Sequence, residues 1–156
     1  MIKDDKRKEK LCLFFASDYH FEMISLPYIN ECLNNNKKVI VITENDLNGT
    51  VNKLLSNINL KEEEKKKISK IDWKNNDLNK FKEIKDANIE GKNAVIFIKG
   101  KKTYIENMNK NINNWIKNED TRIIDCYDVN EIQNDVHEIA SKYNNLLSTS
   151  GVEKMV

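Results

Sequence analysis

The residues of this chain that could do chemistry are few, and they follow short apolar runs. Ser17, Asp18, Tyr19 and His20 come directly after the run at 11–16, which ends on Phe15 and Ala16. Glu44, Asn45 and Asp46 follow 38–43, Asp72 and Trp73 close 68–73, Lys99, Gly100 and Lys101 stand at the end of 93–99, and Tyr127 and Asp128 at the end of 121–127. Gathered in one place, Phe15, Tyr19 and Tyr127 would give a small molecule apolar contact. Ser17, Asp18, His20, Glu44, Asp46 and Asp128 would orient its polar groups. Asp18, His20 and Asp128 would also make an acid–base set if they converged on one pocket, histidine being the usual acid–base residue of such sets. The plainer reading is loop polarity and helix capping.

Known catalytic and metal signatures are missing. Cys12, Cys32 and Cys126 are dispersed and His20 and His137 are the only histidines, so neither metal-ligand spacing nor a disulfide framework is present, and a reduced cytoplasm is the natural compartment. The cysteines fall inside apolar runs or on an apolar helix stripe, which reads as core rather than nucleophile. A phosphate loop needs Gly-x-x-x-x-Gly-Lys-Ser/Thr so that backbone N–H groups can cradle phosphates. Gly100-Lys101-Lys102-Thr103 approaches this, but Val95 stands where the first glycine belongs, and the turn at 17–20 carries an acid and no glycine. A dinucleotide fingerprint is missing for the same lack of glycines. A phosphoacceptor pattern fails because Lys99 follows the fourth apolar run rather than the fifth.

The apolar runs themselves read as strands. Those at 11–16, 38–43 and 93–99 are nearly continuous rather than alternating, the pattern of strands buried on both faces of a parallel sheet. Runs at 68–73 and 121–127 complete five expected strands. Helical periodicity falls between them: Phe21 to Leu33, with a regular helix expected to start near Pro27; Leu47 to Ile58, capped by Asp46; 77–87; 103–116; and a last helix through Ile132, Val136, Ile139 and Tyr143. The charge run at 61–67 reads as a solvated helical turn. Strands alternating with helices give an α/β, three-layer domain with a mainly parallel five-stranded sheet and helices on both faces. In such a sheet ligands bind outside the carboxyl ends of the strands, where the residues named above fall.

Composition bounds the rest. The 156 residues carry 26 Lys+Arg against 25 Asp+Glu, a net charge of +1, which argues against a generic electrostatic nucleic-acid binder. The length suits one domain, with 1–9 a flexible charged lead-in and 10–156 the folded unit. No apolar stretch approaches the ~20 residues that span a bilayer, so no membrane association is expected. The Lys, Asn and Ile bias reads as the codon usage of an AT-rich bacterial genome.

Both ends of the chain resemble the MEDS family of sensory domains. Leu13-Phe14-Phe15 matches the end of that family's first strand, Phe21 and Pro27-Tyr28-Ile29 its helix at the same spacing, and Leu33, Lys38 and Ile42-Thr43 the approach to its second strand. Residues 124–128 resemble its apolar strand ending in Tyr-Asp, and 145–151 its closing segment. Lys10 stands at the family's His position, Cys32 and Asn36 at its glycines, and Tyr143-Asn144 where His-Pro is common; 45–91 match only in element order. The resemblance implies a degenerate RecA/Rossmann-like domain without ATPase activity or cofactor. It would sense small, often hydrocarbon-like molecules beside transcription regulators or signalling kinases. Three functions follow as expectations: a non-catalytic sensory or regulatory domain binding a small-molecule ligand or a regulatory protein partner; an interaction module without a ligand; and a small enzyme using Asp18, His20 and Asp128. A structural subunit that oligomerises through a helix face is a weaker fourth.

Overall fold

The computed structural model describes residues 8–116 and 121–154. The chain forms β1 (Lys8–Phe15), α1 (Asp18–Asn34), β2 (Lys38–Thr43), α2 (Asn48–Leu55), α3 (Glu62–Ser69), α4 (Asp77–Ile89), β3 (Ala94–Gly100) and α5 (Lys102–Asn113). It then forms β4 (Thr121–Asp128), α6 (Val129–Ile132), a single 3-10 turn, α7 (Val136–Ala140), β5 (Asn145–Ser148) and β6 (Gly151–Lys154). The sheet order is β2-β3-β4-β1-β5-β6. Every pairing is parallel except β5 with β6. The fold is a single α/β domain of the Rossmann/RecA-like kind.

Side chains alternate between two cores, as a sheet covered on both faces requires. Leu11, Leu13, Val39, Val41, Val95, Phe97, Ile124 and Cys126 point to one face, where α1, α2 and α3 cover them. Cys12, Ile40, Ile42, Ile96, Ile98 and Ile123 point to the other, beneath α4, α5 and the broken α6–α7 segment. The chain leaves β1 across β4 and β3 to β2, whereas it leaves β4 across β1 to β5. Neighbouring strands β1 and β4 therefore send their connections in opposite directions, which makes their carboxyl ends the topological switch point of the sheet.

The structure differs from the sequence expectations in five places. The sheet has six strands, not five. Residues 68–73 are not a strand: Ile68 lies in the last turn of α3, and Trp73 is buried with Nε1 donating to the Ile68 carbonyl (2.9 Å) while its own carbonyl accepts from Leu47 N–H (2.9 Å). The apolar residues there plug the α2–α3 end of a core rather than joining a ladder. The last two strands come instead from 145–148 and 151–154, joined by the two-residue turn Thr149-Ser150, with Gly151 at φ +97. Pro27 lies inside α1 rather than at its start. It is exposed, as is Met23 four residues earlier, whose carbonyl loses its helical donor to the proline. The expected final helix is interrupted at Gln133, where φ is +37. β1 begins at Lys8, inside the expected lead-in; residues 1–7 lie outside the described residues.

Candidate functional site

At the carboxyl ends of the strands, the chain's own side chains engage one another. Lys99, the last side chain of β3 on the α1 face, is 3% exposed, and its ammonium lies 4.9 Å from the Phe15 ring centroid and 5.5 Å from that of Phe21. Its Nζ meets Asp18 Oδ1 at 2.8 Å and donates to Asn45 Oδ1 at 2.9 Å, while Asn45 Nδ2 donates to Asp18 Oδ2 at 3.1 Å. The three side chains, from β3, the first turn of α1 and the loop after β2, form a closed ring of charge-assisted bonds. A buried ammonium with carboxylate and amide acceptors is satisfied without a ligand.

The helix N-termini around this ring are likewise engaged. Ser17 caps α1 by accepting from His20 N–H (3.1 Å). His20 Nδ1 accepts from Ala16 N–H (2.9 Å), and Asn130 Nδ2 donates to the Ala16 carbonyl (3.0 Å), so both backbone groups at the β1 turn are held by side chains. At α5, Glu44 Oε1 accepts from Lys101 N–H (2.9 Å) and Glu131 Oε1 from Lys102 N–H (3.1 Å). Those amides are the ones a phosphate would take at a helix N-terminus, and here carboxylates hold them. Gly100 permits this closure: a Cβ there would lie 2.6 Å from Tyr104 Cδ2 and 2.8 Å from Glu44 Oε1.

Of the expected site residues, Asp18 belongs to the ring and Ser17, Glu44, Asp46 and Asp128 cap or brace turns. Asp46 Oδ1 accepts from Asn48 N–H and Asp128 Oδ1 from Asn130 N–H, both at 2.8 Å. Phe15 is buried in the core on the α1 face. Tyr127 is buried on the opposite face, where its hydroxyl meets that of Tyr143 (2.8 Å), which donates to Asp125 (2.6 Å). Burial raises the Tyr127 hydroxyl to about 12. Asp128, His20 and Asp18 are each bonded to other groups, and no hydrogen bond joins any two of them among the described residues. All three cysteines are buried, and desolvation raises Cys12 to about 12, far from a reactive thiolate. Among the described residues no three His, Cys, Asp or Glu side chains are arranged to hold a metal ion, and no helix is long and apolar enough to cross a membrane.

Open space lies beside the ring, in a groove between α1 and α2. Its larger compartment, about 360 Å³, is lined by Tyr19, Glu22, Thr50, Lys53, Leu54 and Asn57. A smaller, mainly apolar compartment of about 210 Å³ continues along Met23, Leu26, Pro27 and Ile58, sharing Glu22 and Leu54 with the first. Helical spacing produces both walls: Tyr19, Glu22, Met23 and Leu26 share one face of α1, and Thr50, Lys53, Leu54 and Asn57 one face of α2 and the turn after it. Glu22 is 1% exposed. Its Oε2 meets Thr50 Oγ1 at 2.5 Å, and no cation lies within ion-pair distance of it among the described residues. Burial raises its pKa above the usual carboxylate value; Asp18 adds to this, and Thr50 and Lys99 oppose it. Of the residues expected from sequence to bind a ligand, Tyr19 alone lines the groove. Glu22 and Lys99 escaped that reading.

No family model, curated protein or solved structure matches this chain.

Proposed function

We propose that this protein is a non-catalytic sensory or regulatory domain of the MEDS-like kind, which binds a small ligand in the α1–α2 groove and passes its occupancy to a signalling or transcription partner. One contrast carries the reading. At the strand ends, where a nucleotide-binding domain of this fold class would receive phosphates, Asp18, Glu44 and Glu131 already hold the Lys99 ammonium and the Lys101 and Lys102 amides. The adjoining groove instead keeps open volume around a buried carboxyl group. A ligand there would touch α1 directly, and α1 carries Asp18 into the ring with Lys99 and Asn45. Occupancy would thus bear on the loops after β2 and β3, which supports a regulatory output without chemistry.

Thermal unfolding with a metabolite panel that includes ATP and GTP tests this reading. At least one small compound, and neither nucleotide, is expected to raise the midpoint; a ligand at 100 times its Kd adds ~2.7 kcal/mol. Hydrolysis of ATP by the pure protein would overturn it. A protein partner captured with no small-molecule shift across the panel would replace it with a ligand-free interaction module.

A further inference from the structure

We propose that the α1–α2 groove selects a primary ammonium group carried on a compact apolar body, with Glu22 as its counter-ion. This rests on the groove being the ligand site argued above, and it adds the ligand's chemical class.

Three observations converge. First, Glu22, a residue 1% exposed, has one hydroxyl neighbour and no ion-pair partner among the described residues, so its carboxylate is an unbalanced charge when ionised. An ammonium placed against it would supply the missing donors and charge. Second, Thr50 Oγ1 lies 2.5 Å from Glu22 Oε2 and 3.1 Å from the Leu47 carbonyl, yet a hydroxyl has one proton. A protonated Glu22 can donate to Thr50 while Thr50 donates to Leu47; an ionised Glu22 takes the Thr50 proton, and the Leu47 carbonyl keeps the Val51 N–H (3.0 Å). A cationic ligand therefore favours the ionised form of Glu22. Third, the smaller compartment that opens from Glu22 is apolar along Met23, Leu26, Leu54 and Ile58, which fits an alkyl or aryl body rather than a second polar group.

The charges facing Glu22 are Asp18 on its own helix, Lys99 from β3 and Lys53 from α2 at the rim of the larger compartment. Asp18 and Lys99 are already paired with each other. Lys53 and Asn57 would meet the carboxylate of a hydrophobic α-amino acid, so a simple amine and such an amino acid are two sources of the same recognised group.

Calorimetric titration of the full chain at pH 8 with hexylamine, leucine and hexanol tests the assignment. Hexylamine or leucine is expected to bind at least tenfold more tightly than hexanol, and to weaken as the pH falls to 5. Leucine exceeding hexylamine identifies the amino-acid source, and the reverse the simple amine. Glu22→Gln, which keeps an acceptor for Thr50, is expected to reduce amine binding at least tenfold; Leu54→Trp, which fills the groove from the other helix, is expected to abolish it. Equal binding of hexanol and hexylamine, unchanged binding by a folded Glu22→Gln variant, or no amine binding at all overturns the assignment. A non-amine compound that stabilises the protein while every amine fails removes this inference and leaves the sensory reading intact.

Discussion

Glu22 and Lys99 are two buried charges handled in opposite ways. Lys99 lies on the α1 face of the sheet, between two aromatic rings, and gains a carboxylate and an amide acceptor. Glu22, one helical turn beyond Asp18, has a hydroxyl neighbour and an open groove. Its raised pKa has a thermodynamic consequence. The folded state holds the proton more tightly than the unfolded chain, so between the unfolded value near 4.5 and the higher folded value stability falls as pH rises. Below that window both states are protonated and the penalty vanishes. Glu22→Gln cannot ionise. Its melting temperature relative to the native chain is therefore expected to climb from about pH 4.5 upward and then level off; a difference that stays flat with pH would contradict this. Sequence alone contained a sign of Glu22, since it lies four and seven residues before the apolar Leu26 and Ile29 on the same helix face, where a charge is anomalous. The strand-end rule drew attention to turns instead.

At the scale of elements, the runs at 38–43 and 93–99 were plain from continuous β-branched composition, and the helices after them from 3.6-residue periodicity. The misreadings have physical causes. Four-residue strands such as β5 and β6 are too short to display alternation, and their pairing is fixed by a tight turn and by β1. Ile71 and Trp73 have strand spacing, but Trp73 finds its hydrogen bonds in α3 and at the start of α2. Proline favours helix starts in general, yet Pro27 sits at an exposed position inside α1, where its ring and its missing N–H lie away from the core. The junction of β3 with α5 shows how closely elements meet at the ring. Gly100→Ala is expected to destabilise the protein by roughly 1–3 kcal/mol, because the new methyl must move both the Tyr104 ring and a Glu44 carboxylate bonded to Lys101. Urea denaturation measures it, and an unchanged midpoint would show that the two side chains give way freely.

Across the whole molecule, the α/β class, the parallel sheet and the two-faced core were written in the order of runs, because connection rules leave few topologies. What the order of runs could not convey was whether the switch point between β1 and β4 is open. Only the three-dimensional meeting of Asp18, Asn45 and Lys99, and of Glu44 and Glu131 with the start of α5, answers that. A scaffold that in general offers helix N-termini to anions here supplies carboxylates of its own at the start of α5, and an open groove lies one helix turn away. Amide chemical-shift mapping with ATP and with a compound that stabilises the protein decides whether the strand ends are closed and the groove open. Perturbations at Tyr19, Glu22, Thr50 and Leu54 are expected for the stabilising compound and none for ATP at millimolar excess; ATP-induced shifts centred on the amides of Ala16, Lys101 and Lys102 would contradict a closed switch point.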